Sequence, residues 1–177
     1  KDWIKFLLMA GRFYKYQFLE ILMIYIQREN ATACASYDLW KQRMNRQVQR
    51  GSKGIALLRY RDGRVFLRYV FDVADTERRE NGRDPVLWQY RDKYEGTITS
   101  HLDECFKVPG GDGLAKQLIA LAVQFADEHW DDFKDSIMLA VHDSSLDGLD
   151  EDNVALRFRS AVTVSLSFLL LARCGFD

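Results

Sequence analysis

Proline is nearly absent from this chain, with two residues in 177, and glycine is held to 11. That composition excludes collagen-like and Pro/Gly-rich disordered classes. Cysteine is also scarce. Cys34, Cys105 and Cys174 are widely spaced with no CxxC pair, so neither a disulfide framework nor a zinc knuckle is expected, and a reducing, cytoplasmic setting fits. The three histidines, His101, His129 and His142, fall in no HExxH frame, and no GxxxxGK[ST] loop is present, which argues against metallopeptidase and nucleotide-hydrolase chemistry. Long apolar runs are missing too. The most apolar stretch, residues 160 to 172, is interrupted by Thr163, Ser165 and Ser167 and reads as too short to cross a bilayer. The chain begins at Lys1 and stays apolar almost to its end, so we expect a piece of a longer polypeptide.

What is present is a lopsided charge distribution. The formal net charge is only -1, yet residues 41 to 68 carry nine basic side chains against one acid, Asp62. Residues 1 to 68 hold 14 basic and 5 acidic groups, net +9, and the rest holds 11 and 21, net -10. A dense basic segment tracks phosphates, because each neutralised phosphate releases condensed counterions and arginine grips an oxygen pair with its planar fork. With 47% apolar and 13% aromatic side chains, a real core is affordable to the chain.

Periodicity then orders the elements. Trp3, Phe6, Leu7, Ala10 and Phe13, and again Phe18, Ile21, Leu22, Tyr25 and Ile26, predict two amphipathic helices, the second packed on more than one side. Ser36 reads as the N-cap of a short helix over 37 to 44. Two β-branched and aromatic runs, 55 to 60 and 65 to 73, flank Asp62-Gly63, a hairpin signal. Pro85 is placed to open a helical stretch to about residue 106, a glycine cluster at 110 to 113 ends it, and further helices follow. The fold class expected is therefore α+β: helices on a small antiparallel sheet holding the hairpin at 54 to 76, then an acidic all-helical lobe, with regions 1–80 and 81–177.

The candidate site is the basic block. Arg43, Arg46, Arg50, Lys53, Arg59 and Arg68 are the expected phosphate contacts, and Tyr37 or Trp40 the base-stacking ring, since single strands need π-platforms beside a cationic groove. Glycines 51 and 54 would let backbone N–H groups approach an anion. The competing readings are a solvated cationic face and aromatics that simply fill the core. His101 and Cys105 share a helix face at i and i+4 but lack an orienting carboxylate nearby in sequence, and the run 143 to 148 fails as a calcium loop because Val154 stands at its twelfth position. No catalytic residue, metal or cofactor is expected.

One family resemblance adds to this. Tyr16-Gln17-Phe18, Leu22-Met23-Ile24, Gln27, Ala31-Thr32, Ser36-Tyr37, Trp40, Arg46, Val48, Arg50-Gly51-Ser52-Lys53-Gly54-Ile55 and Phe71-Asp72-Val73 together resemble the N-terminal domain of ArdC-type antirestriction proteins, over about residues 1 to 76. Glu20, Ile21 and Asn45 depart from its usual Asn, Gln and Gly. The resemblance implies a single-stranded DNA-binding module, set beside other domains of a larger mobile-element (conjugative) protein, without the HExxH peptidase half. A protein-interaction or DNA-mimicking antirestriction or anti-CRISPR module is the alternative, and a divalent-ion enzyme a further one.

Overall fold

The computed structural model describes residues 2–111 and 113–176, with Arg61 as backbone only. The fold class is α+β. Chain contacts divide it into two compact units, Lys1–Trp88 and Gln89–Asp177.

In the first unit, helices α1 (Asp2–Arg12) and α2 (Phe18–Gln27) form where the apolar stripes predict. Strands β1 (Cys34–Ala35), β2 (Arg46–Val48), β3 (Ile55–Arg61), β4 (Arg64–Asp72) and β5 (Thr76–Arg78) make two antiparallel sheets, ordered β1-β4-β3 and β2-β5. The β3–β4 hairpin turns through Asp62 (φ 51°) and Gly63 (φ 71°). Two successive positive φ values are what a tight primed turn demands, and Asp-Gly meets them at low cost. Pairing sets Ile55 against Val70, Leu57 against Arg68 and Arg59 against Phe66 on one face. Ile55, Leu57 and Val70 bury that face against Phe6, Met9, Phe13, Ile21 and Ile24 of the helical layer.

Side chains of α2 also guard the outer edge of β3. The Gln27 amide donates to Ala56 O and accepts from Ala56 N, both at 2.9 Å, copying a neighbouring strand, and Leu58 N points at Met23 Sδ, 3.4 Å away. An edge so occupied is poorly available for strand addition. The helix is less enclosed than its composition suggests, because Phe18, Leu19 and Ile26 remain exposed.

Ser36 caps as expected, its Oγ accepting from Leu39 N. The turn that follows, Leu39–Arg43, is π-helical, with Met44 N donating to Leu39 O.

The second unit is all helical: α3 (Glu95–Phe106), α4 (Leu114–Glu128), α5 (Trp130–Val141) and α6 (Glu151–Arg173). The helix expected to open at Pro85 opens at Glu95 instead, after a single 3-10 turn at Asp92–Tyr94. The reason is tertiary. Asp84 is held by Arg46 and Arg78 and Arg83 N donates to Met44 O, which pins the chain before Pro85 in an extended course.

Asp150 caps α6 by accepting from Asn153 N at 2.8 Å, so Asp150 ionises below the usual carboxylate range. This helix corrects one expectation. The apolar run is embedded in 23 helical residues, long and apolar enough by length and composition to cross a membrane. Its Val154 and Ala155 pack on Trp130 and Val141 of α5, and its Leu170 and Leu171 pack beside Leu114 and Leu118 of α4, while only 11% of its apolar window is buried.

Candidate nucleic-acid interface

Alternation along the hairpin sends Leu58, Tyr60, Val65, Leu67, Tyr69 and Phe71 to the face away from α1 and α2. Nothing in the described residues covers much of it: Tyr60 is 73% exposed and Tyr69 52%, with Val65 and Leu67 similarly open. From Val65 to Phe71 the strip is about 20 Å long. Tyr37 extends it, its ring 6.5 Å from that of Phe71, and Lys41 Nζ lies 5.9 Å above the Tyr37 ring.

Gly54 belongs to the same surface. A Cβ there would sit 3.1 Å from Tyr69 Cβ and 3.2 Å from the Phe71 ring, so its bareness lets the two aromatics lie down over the start of β3. Gly51, at φ 89°, closes the preceding turn, in which Ser52 N donates to Gln49 O. One N–H that the sequence reading offered to an anion is therefore spent internally.

The predicted cations separate into two groups. Arg43, Arg50 and Lys53 are exposed and, among the described residues, have no carboxylate partner; Lys41 and Arg64 join them. Arg50 and Lys53 precede β3 at the Phe71 end of the strip, and Arg64 stands at the turn end.

The other three predicted cations have partners within the chain, and of these Arg46 is corrected as a surface contact. Arg46 is only 8% exposed: Nε donates to Thr76 Oγ1 at 2.7 Å, Nη2 to Thr76 O at 3.1 Å and Nη1 to Asp84 at 2.5 Å, so it staples β2, β5 and the following segment instead of facing solvent. Arg59 and Arg68 lie on the helix-side face and both reach Glu20 Oε1, at 3.1 and 3.4 Å.

Trp40 is corrected as well. It is 2% exposed and its Nε1 donates to Phe71 O at 2.8 Å, an anchor beneath the sheet that no base can reach. Of the two proposed stacking rings, Tyr37 alone is on the surface. Tyr69, Arg64 and Lys41 were missed as site residues. The signal for Tyr69 was the strict alternation of the second strand, which marks one face but not whether anything covers it, and the signal for Lys41 and Arg64 was the basic run 41 to 68 itself.

Cys34 and Tyr16 sit at the protected side. Burial, with Asp72 beside it, pushes the Cys34 thiol well up, and burial together with Cys34 pushes the Tyr16 hydroxyl up to about 12. Neither is an activated nucleophile. In the second unit, Cys105 Sγ lies 3.6 Å from His101 Nε2 on an exposed helix face. Among the described residues no three His, Cys, Asp or Glu side chains gather as a metal site would.

The class these features define is an α+β domain carrying an open, aromatic β-surface with unpaired cations at both ends. Comparison with protein-family models, curated proteins and solved structures finds no match.

Proposed function

We propose that this chain is a non-catalytic single-stranded DNA-binding module, part of a mobile-element protein of the conjugative or antirestriction kind. The observation that carries the reading is the uncovered strip of Tyr60, Val65, Leu67 and Tyr69. Large exposed side chains gathered along one strand face support a binding face. Tyrosines on it offer π-surfaces to bases, worth about 1–3 kcal/mol per stacked base, and Lys41, Arg43, Arg50, Lys53 and Arg64 supply charge for the backbone. The resemblance of residues 1 to 76 to ArdC-type N-terminal domains points to the same class.

The aliphatic Leu58, Val65 and Leu67 favour a second reading, a protein partner docked on the strip. Fluorescence titration with single-stranded oligonucleotides separates the two. If about five phosphates are neutralised, log K falls against log salt with a slope of about -3.5. Arg50→Glu with Lys53→Glu weakens binding and flattens the slope. A slope near zero, or oligonucleotide binding indifferent to that double substitution, assigns the strip to a protein.

A further inference from the structure

We infer that Arg59 and Arg68 form a seat for one phosphate group on the helix-side face of the hairpin, where Glu20 is the internal anion the phosphate competes with. The inference rests on the nucleic-acid reading above and adds to it a second, partly buried point of grip.

The two arginines come from adjacent strands and stand diagonally, since Leu57 pairs with Arg68 and Arg59 with Phe66. Like charges at this spacing repel, yet both guanidiniums close on a single oxygen, Glu20 Oε1, at 3.1 and 3.4 Å. Three of the carboxylate's roughly four acceptor sites are taken. Glu20 is 4% exposed and its Oε2 already accepts from Gln17 N at 3.1 Å, closing the capping box of α2.

Two cations against one anion leave the cluster one positive charge in excess. The arginine side chains are 36% and 35% exposed, open enough for a ligand and dry enough for the excess charge to be felt. Among the described residues most of their N–H donors have no acceptor; the Arg68 Nε is buried and unpartnered, so the outer nitrogens are the ones open to a ligand. The Tyr16 ring lies 6.0 Å beneath the Arg68 guanidinium and its hydroxyl is spent on Cys34 O at 2.7 Å, so the floor of the site competes for nothing.

A tetrahedral oxyanion meets this arrangement well, because paired guanidinium forks bind phosphate oxygens at fixed geometry. Phe66, directly across from Arg59 and exposed on the same face, offers a ring for the adjoining base. The phosphate comes from a nucleic-acid backbone or from free phosphate, and the test separates these sources.

The full chain is titrated with an oligothymidylate, and separately inorganic phosphate is followed by phosphorus NMR. Glu20→Gln keeps the side chain's size and removes the competing charge. It is expected to tighten oligonucleotide binding about three- to tenfold and to steepen the salt slope by about 0.7. Arg59→Gln with Arg68→Gln is expected to weaken binding roughly tenfold, and Arg59→Gln alone, on the edge strand, serves if the buried substitutions fail to fold, as judged by circular dichroism.

Arginine-dependent broadening of the inorganic phosphate signal means that free phosphate fills the seat; oligonucleotide effects without it mean a backbone phosphate does. Should folded Glu20→Gln and Arg59→Gln both bind as the unaltered chain does, while Arg50→Glu with Lys53→Glu abolishes binding, the seat is refuted and the module stands. Phosphate binding lost with Arg59→Gln, in a chain that ignores oligonucleotides, upholds the seat and refutes the DNA reading.

Discussion

Asp72, Trp40 and Arg46 show how a residue of conspicuous chemistry ends up as scaffolding. Asp72 is buried and accepts from Thr32 N at 2.7 Å, Ala33 N at 3.0 Å and Ala74 N at 3.0 Å. It ties the loop after α2 to the end of β4. We predict that Asp72→Ala, which orphans three backbone donors, costs about 3 kcal/mol or more, and that Trp40→Ala costs about 3–5 kcal/mol through the cavity it leaves. Both are measured as shifts in denaturant midpoint. Loss of oligonucleotide affinity by a folded, fully stable Trp40→Ala would restore Trp40 to the binding surface.

The sequence reading placed Trp40 and Arg46 at the binding surface, because a tryptophan or arginine in a basic block looks the same whether it faces water or a neighbouring strand. Burial is a tertiary property. Where the chemistry is short-range, the reading held: Ser36 caps and Asp62-Gly63 turns, since each depends only on residues a few places away.

At the scale of elements, the hairpin is the part that was most legible and most consequential. Period-2 alternation over Val65, Leu67, Tyr69 and Phe71 places them together without any tertiary knowledge. What alternation cannot supply is the partner layer. Helices α1 and α2 cover the Ile55–Leu57–Val70 side and leave the aromatic side open. Tyr60→Ser and Tyr69→Ser are therefore expected to change thermal stability little, being surface substitutions, while each lowers single-strand affinity by about 1–3 kcal/mol. Equal losses of stability and affinity would instead mean that the rings are structural.

The short strands β1, β2 and β5 were not read from the sequence. At two or three residues each they are too brief to show a period, and they form because Arg46 and Asp72 draw separate segments together. The displaced start of α3 has the same origin, the hold of Arg46 and Arg78 on Asp84.

Across the whole molecule the charge division follows the two units. Lys1–Trp88 carries 17 basic and 10 acidic groups, net +7, and Gln89–Asp177 carries 8 and 16, net -8. A field of this asymmetry steers a polyanion to the first unit and acts mainly on association rate and salt dependence.

Global stability should carry an alkaline signature. Cys34 and Tyr16 have raised folded-state values, so above their unfolded values of 9.0 and 10.0 the unfolded chain releases protons that the folded chain retains. Stability is complete below about pH 9 and falls as pH rises toward 12. Cys34→Ser removes the lower part of this fall, and thermal melts across that range measure it. An unaltered profile in the variant would exclude Cys34 as its source.

The central claim is that the open hairpin face and its flanking cations bind unpaired bases. Titrating the full chain with a single-stranded oligonucleotide and its duplex, each at two salt concentrations, tests it most directly. Tighter binding of the single strand, weakening with salt at a slope near -3.5 and lost with Tyr60→Ser and Tyr69→Ser, is the predicted result. Equal or stronger duplex binding, or none at low salt, contradicts it.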